Sequence, residues 1–465
     1  MPRCPSAHGI EGARNRSLPD KSPCARGLLS RCCPPSVGGR LHLATRKGSA
    51  DERAGGCGGL RGRGRAGEPP LSRVRALGRT VPVPRRRHAM TGRDPGEAHR
   101  TVTPLELFVD LCFVVAVAQA SHYLRDALIH GHGATGVLRF ALVFFTVWWA
   151  WMNFTWFASA YDPDDTLYRL TVLVQITGSL VLAAGVGRAF EHGDLLVITL
   201  GYVVLRTALA ALWLRAGLAD RPRRATTLRF AIGVTACQLG WVGLLFLPAA
   251  GRLPGIAVMI LAEVLVPVWA QSAGMTPWHP GHIAERYELF TLIVLGESVA
   301  AATIAVQGAF ERQQNIAALC ALAGGGLLMA FAMWWLYFTR PAHTLLATTH
   351  QAHGRRFAWA YGHYFVFASA TAEGAGLAAY ADHLTRPDGT TGALPAALGV
   401  TVPAAVFVFA VWAVHLRPHR RRKADDVPCA VTVVALLLAT WLPAPALVAG
   451  ALLSGVVVAV TRQDP

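Results

Sequence analysis

Charged residues are scarce in this chain. Only 15% of its 465 residues are Asp, Glu, Lys or Arg, whereas 53% are hydrophobic and the mean hydropathy is +0.37. Soluble domains carry about 25% charged residues. Leu, Val, Ala, Phe and Trp fall in blocks of roughly 20 residues, which is enough to cross a hydrocarbon layer of about 30 Å. The composition therefore predicts an integral membrane protein that lies in a lipid bilayer.

The motifs of common soluble enzymes are also lacking. None of the nine cysteines stands in a Cys-x-x-Cys pair, so the spacing indicates neither a zinc site nor a disulfide framework. Neither a Walker loop nor a dinucleotide-binding fingerprint occurs. The pair His279 and His282 lacks the further ligands of a zinc site. We therefore expect no metal, no cofactor and no enzymatic activity; a membrane enzyme acting on a lipid-linked substrate is the minor alternative.

Most of the positive charge lies in the first hundred residues. The net charge is +17, and residues 1–100 hold 21 Lys and Arg against 7 Asp and Glu. Because the rest of the chain is nearly balanced, we expect no nucleic-acid partner for it. Residues 1–95 are rich in Arg, Gly and Pro without a hydrophobic period, which predicts a disordered basic extension. We expect translation to start near Met90, the first methionine after Met1.

Twelve apolar segments follow the extension and predict an all-α membrane protein of about 12 transmembrane helices. Glu106-Leu107-Phe108 recurs as Glu288-Leu289-Phe290, and Trp148-Trp149 recurs as Trp334-Trp335. This order predicts two parallel six-helix repeats, residues 96–280 and 281–465, with the working site between them. The segments lie at 104–124, 137–158, 167–187, 195–216, 228–247, 254–272, 286–306, 316–338, 357–380, 393–415, 427–442 and 444–460.

The charges of the loops predict the orientation of the chain. Alternate loops are rich in Arg, and by the positive-inside rule these lie in the cytoplasm together with both termini. The last two segments are short and are separated by Pro443-Ala444-Pro445. They are either two tilted spans or one re-entrant hairpin.

Six ionisable residues inside apolar segments are candidates for a solute or ion pathway. A charge at membrane depth costs several kcal/mol unless it is paired or wet, so such residues are functional candidates by default. Glu297 lies about twelve residues into its segment and is expected to be the costliest carboxylate, next to a Gly296 that permits a close helix approach or a break. Arg206 needs a partner, for which Asp110, Glu263 and Glu297 are the alternatives. The six are Glu106, Asp110, Glu288, Glu297, Arg206 and Glu263.

Several neighbouring residues have simpler interpretations. Glu106 stands at the start of its helix, where a carboxylate also stabilises the helix end. Arg286 lies at the end of its segment and is interpreted as an interfacial anchor. The cluster of Trp148, Trp149 and Trp151 predicts either an interfacial belt or the core of the bundle.

Three ordered motifs resemble one known family. Thr103-Pro104-Leu105-Glu106-Leu107-Phe108-Val109-Asp110 continues to Gln119, Trp148 to Asn153 continues to Asp162, and Glu285 continues to Ser298. These motifs resemble the bacterial low temperature requirement A family over about residues 95–460. The resemblance implies a polytopic protein of the bacterial inner membrane, named for cold growth, with no settled activity. Val109 departs from the second Phe that family members often carry, and the region before Met90 has no family counterpart that we recognise.

The leading hypothesis is a secondary transporter or channel for an unknown small solute or cation, with proton coupling as an option. It depends on the twelve segments, the duplication and the charges at membrane depth. The alternative is a membrane scaffold or a lipid-state factor for cold adaptation that transports nothing, in which the same charges are structural pairs.

Overall fold

The computed structural model describes residues 90–97, 100–311, 315–348, 353–385, 392–420 and 422–463. The predicted extension 1–95 lies almost entirely outside the described residues, of which only Met90 and the following few belong to it. Within the described ranges the chain is helical, with no strand. The helices are α1 Pro104–Ile129, α2 Gly133–Ala160, α3 Thr166–His192, α4 Leu196–Ala219, α5 Arg224–Leu244, α6 Ala249–Gln271, α7 Pro280–Glu311, α8 Ile316–Phe338, α9 Ala342–Thr348, α10 His353–Thr385, α11 Ala393–Val411, α12 Val427–Leu438 and α13 Pro445–Arg462.

Each predicted apolar segment coincides with a long helix. Eleven stretches in the described part of the chain are long and apolar enough to span a membrane, and they correspond to α1–α8 and α11–α13. The ninth predicted segment lies in α10, which is long enough but carries His363, Glu373 and Asp382 among its apolar residues. The all-helical membrane architecture is therefore confirmed, while the count of twelve spans stays a prediction.

Local sequence signals set the ends of these helices. Thr103 caps α1, because its hydroxyl oxygen accepts a hydrogen bond from the backbone N–H of Glu106. In turn, the carboxylate of Glu106 accepts a hydrogen bond from the backbone N–H of Thr103. Pro104 follows at the first helical position, where its missing N–H costs nothing. Gly193 ends α3 in the left-handed conformation at φ +66°, which glycine adopts without steric cost.

The last two predicted segments form two separate helices, α12 and α13. Ala444 between them has φ +52°, and Pro445 starts α13 because its fixed φ suits the first turn. Both stretches qualify as spans by length and composition.

Three helices, α1, α7 and α10, pack on one another. Glu106 at the start of α1 lies 3.2 Å from His282 at the start of α7. Arg125 near the end of α1 lies 4.0 Å from Asp382 near the end of α10. The three helices therefore run in the same direction.

Candidate functional site

The first candidate site joins the N-terminal turns of α1 and α7 with α2. We call it the α1–α7 network and define it by Glu106, Asp110, Trp151, His282 and Arg286. All five side chains are at most 1% exposed. Its first pair, Glu106 and Asp110, was predicted, because residues four apart share one face of a helix.

Asp110 holds the strongest contacts of the network. Arg286 Nη2 donates to Asp110 Oδ1 at 2.6 Å, and Trp151 Nε1 donates to the same oxygen at 2.7 Å. Arg286 Nη2 also lies 3.3 Å from Thr155 Oγ1. The interpretation of Arg286 as an interfacial anchor is therefore wrong: α7 begins six residues earlier than the apolar segment, at Pro280, which places Arg286 inside the bundle.

Glu106 has two tasks at once. Its side chain completes the cap with Thr103, and its carboxylate lies 3.2 Å from His282 Nε2 and 4.0 Å from Arg286 Nη1. The capping interpretation and the pathway interpretation are thus both compatible with its position. His282 could not be assigned from the sequence, because it precedes the apolar segment by four residues.

The network leaves both acceptors and donors unpaired. Two carboxylates face one guanidinium, and the imidazole of His282 balances the second carboxylate only when it is protonated. Asp110 Oδ2, His282 Nδ1 and the Nε and Nη1 atoms of Arg286 are buried without a hydrogen-bond partner among the described residues. A buried polar group without a partner costs about 1–3 kcal/mol. Water or a polar ligand that supplied the missing hydrogen bonds would remove this cost.

Two more buried charged residues lie outside the helices near the network: Arg100 before α1 and Asp162 after α2. Arg100 is buried and donates to the carbonyls of Ala158, at 2.6 Å, and Ser159. The Asp162 side chain, after the end of α2, is only 4% exposed. Burial raises the pKa of Asp162 to about 6, and the negative charge of Glu106 adds to this effect.

A second buried group joins α4 and α6. Arg206 Nη2 lies 2.5 Å from Glu263 Oε2, and both side chains are fully buried. Glu263 is therefore the partner of Arg206, and Asp110 and Glu297 are not. Four more donors reach the Glu263 carboxylate at 2.9–3.3 Å: Trp149 Nε1, Tyr202 Oη, Gln238 Nε2 and Trp241 Nε1. This carboxylate is saturated, as expected of a structural ion pair.

Contacts with the α1–α7 network and with the buried group around Glu263, which we call the Glu263 network, indicate the role of the tryptophans. Trp149 and Trp151 are fully buried, and each donates its indole N–H to a carboxylate of a different network. The tryptophans of α2 therefore form the core of the bundle rather than an interfacial belt.

Glu297 lies at the other end of the α1–α7–α10 bundle. It lines a groove of about 370 Å³ together with Gln119, His122, Arg125 and Asp382. Glu297 is only half-buried, whereas Asp110 and Glu263 are fully buried among protein side chains. That Glu297 is the costliest carboxylate stays a prediction.

Glu288 belongs to neither group. It is half-buried on the side of α7 that faces the start of α9, where it accepts a hydrogen bond from the backbone N–H of Ala342. Glu297 follows nine residues later, which places it on the opposite face of α7, and the two residues lie against different neighbours.

Comparisons with known proteins agree with the architecture. A family model described as bacterial low temperature requirement A protein matches residues 101–461. A protein of Rhizobium meliloti (strain 1021) named uncharacterized protein RA0937 is 27% identical over 272 residues, which are 56% of this chain and 64% of that protein. The match thus spans less than two thirds of the relative's length. No solved structure matches this chain.

Proposed function

The chain belongs to the bacterial low temperature requirement A family, and we propose that it is a secondary transporter for a small cation or solute, coupled to protons. The observation that carries the proposal is the charge imbalance of the α1–α7 network. Two buried carboxylates share one guanidinium, and a neighbouring histidine can take or release the balancing proton. An ionisable group kept at membrane depth is costly to stability, so its retention points to a task.

The groove around Glu297 supplies the other end of the proposed path. It lies on α1 and α7, which carry the charged residues of the network, and on α10, and its side chains bear charges of both signs. Proton relays in transporters are built from chains of Asp, Glu and His along packed helices. The path we propose runs along α1, α7 and α10, from Asp110 toward Glu297 and Asp382.

We further propose that the two halves of the bundle arose by duplication. The helix pairs α1·α3, α3·α4 and α4·α5 of the first half correspond in chain order to α7·α10, α10·α11 and α11·α12 of the second. In each half, two helices approach closely at a pair of glycines. Gly178 of α3 lies against Gly201 of α4, and Gly376 of α10 lies against Gly399 of α11. Each glycine of the second pair stands 198 residues after its counterpart. Repeats of this kind place a substrate site between the halves.

The test is transport by the purified full-length chain in liposomes. Internal pH is followed under imposed proton, sodium and potassium gradients. We expect a flux that Asp110→Asn and Glu297→Gln each lower by about tenfold or more, the rate effect of roughly 1.4 kcal/mol. Asp194→Asn is the matched control, because Asp194 is a surface carboxylate paired with Arg188. No flux from folded parent protein under any gradient contradicts ion transport, whereas an equal loss in the control contradicts the assignment of Asp110 and Glu297 to the path.

The second candidate function is a membrane scaffold that transports nothing. The saturated carboxylate of Glu263 favours it, since five donors leave no capacity for a ligand. In a scaffold, the α1–α7 network would also be purely structural. Asp110→Asn would then lower thermal stability, and neither the parent nor the variant would show a flux.

A further inference from the structure

Glu373 is a buried carboxyl group outside both networks. It lies in the middle of α10 with an exposed fraction of 2%. Its Oε1 atom has no hydrogen-bond partner among the described residues. Glu373 is the only Asp, Glu, Lys or Arg within the predicted segment 357–380, yet it was not among the six candidates named from the sequence.

The Glu373 side chain lines a cavity of about 270 Å³ between α7, α8 and α10. The walls are small and apolar, with Ala302, Leu322, Gly326 and Leu377 among them. Ser298 also lines it, but its hydroxyl is engaged by the carbonyls of Ala370 and Val294, at 2.7 and 3.0 Å. The cavity therefore offers a ligand one unengaged carboxyl group in apolar surroundings.

The cavity opens to the side of the bundle. Val299 and Leu327, from its walls, are 41% and 49% exposed, and both belong to stretches long enough to span a membrane. An apolar surface at membrane depth faces the hydrocarbon of the bilayer. A ligand that partitions into the membrane can thus reach Glu373 without crossing the rest of the protein.

Within the described part of the chain, no other ionisable group of the neighbouring helices is placed to neutralise Glu373. The helix α11 contains none, α8 contains only Cys320 and Tyr337, and Glu297 of α7 lines the groove on the other side. On α1, the acidic and basic residues belong to the network or to that groove, apart from Asp126, which pairs with His122 and Arg125. An ionised Glu373 is then a buried charge without a counter-ion, which costs several kcal/mol. Either a proton or an entering cation has to remove that cost.

From this geometry we propose that the cavity binds a small organic cation, with Glu373 as its counter-ion. Binding exchanges one species for another: the carboxylic acid loses its proton to water, and the carboxylate pairs with the cation, so one proton is released for each cation bound. At roughly 30 Å³ per water-sized atom, the cavity holds about nine non-hydrogen atoms, which is the size of tetraethylammonium. The inference rests on the proposed function, of which it names the substrate class.

Under the proposed duplication, the counterpart of Glu373 in the first half of the chain is a neutral residue. Gln175 of α3 stands 198 residues before Glu373, the same offset as the paired glycines, and is also 2% exposed. Its side-chain amide likewise has no partner among the described residues. Glu373→Gln therefore copies what the first half already accommodates, and we expect this variant to fold.

The experiment uses the full-length chain in liposomes and two readouts. Dicyclohexylcarbodiimide reacts with protonated carboxyl groups in apolar surroundings, and peptide mass spectrometry reports the adduct at Glu373. We expect tetraethylammonium to slow this reaction about tenfold at ten times its Kd. In weakly buffered solution the same cation should release protons from the parent and from the surface control Asp194→Asn, but not from Glu373→Gln.

Three results would overturn the inference: an unmodified Glu373 in folded parent protein, a reaction rate that tetraethylammonium leaves unchanged, or proton release that persists in Glu373→Gln. The proposed function fails separately. Protection with proton release but without flux keeps the site and removes transport. Flux that Glu373→Gln leaves intact keeps the transporter and removes this site from its path.

Discussion

At the scale of single residues, partners rather than positions decide what a charge does. Arg206 and Arg286 are both fully buried arginines. Arg206 contacts a single carboxylate that five donors saturate, whereas Arg286 lies beside two carboxylates, one of which also contacts His282. The sequence could rank Arg206 as buried because it interrupts an apolar segment. It could not identify Arg286 as buried, because Arg286 is the first residue of its apolar segment. The helix α7 begins six residues before that segment, so Arg286 lies inside the helix.

Asp162 provides a pH-dependent test at this scale. Its pKa is about 6 in the folded protein, against 3.8 for an ordinary Asp, because burial disfavours the charged form. The folded state then holds the proton more tightly than the unfolded chain does. This contribution to stability is fully present below about pH 4 and is lost as the pH rises through about 6.

Asp162→Asn cannot ionise and should therefore be more stable than the parent at about pH 7, by up to about 3 kcal/mol. The difference should shrink toward zero at about pH 4, as measured by the apparent Tm from tryptophan fluorescence. Asp164→Asn is the control, because Asp164 is exposed and paired with Arg169. A stability difference that is independent of pH would contradict the assignment.

At the scale of helices, the apolar segments predicted the elements well, but not how closely the helices approach. Gly296 was expected to permit a close approach or a break, and both expectations are wrong. The helix α7 continues through it, and an added Cβ would meet no described atom within 4 Å. The close approaches lie instead at Gly178 and Gly376, which the sequence does not distinguish from other glycines. Which helices become neighbours is a tertiary property.

Gly376→Ala tests the approach of α10 to α11. Its Cβ would collide with the carbonyl group of Gly399, so the two helices have to separate. Overpacking of this kind costs typically 1–3 kcal/mol or more, and we expect a lower Tm and less folded protein. Gly296→Ala is the matched control and should gain up to about 1 kcal/mol from helix propensity. Equal stability of the two variants would show that α10 and α11 are not in contact at Gly376.

At the scale of the whole molecule, direction is the quantity that connects structure to transport. The helices α1, α7 and α10 run in the same direction, since both their starts and their ends meet. Parallel repeats of six spans require this, whereas inverted repeats would set α1 and α7 against each other. With α10 counted beside the eleven candidate spans, the chain would cross the membrane an even number of times.

An even count would place both termini on one side of the membrane, and the positive-inside rule predicts that this side is the cytoplasm. Green fluorescent protein fused after the last residue should therefore fluoresce in bacterial cells. Alkaline phosphatase inserted at Gly193, in the loop between α3 and α4, should be active. An active phosphatase at the C-terminus would contradict the twelve-span topology, and its activity there would favour an odd number of spans.

The sequence by itself was enough to predict the membrane environment, the positions of the helices and the family of this protein. Apolar blocks of membrane length and ordered motifs are local properties of the chain. It also identified Asp110, Arg206 and Glu263 as candidates, because a charge inside an apolar block is costly unless it is paired or hydrated. Only the tertiary structure decided that Arg206 pairs with Glu263, that Arg286 and His282 complete the network around Asp110, and that Glu373 is left facing a cavity. Each of these facts depends on the rotation and distance of helices far apart in the chain, which hydrophobic pattern does not encode.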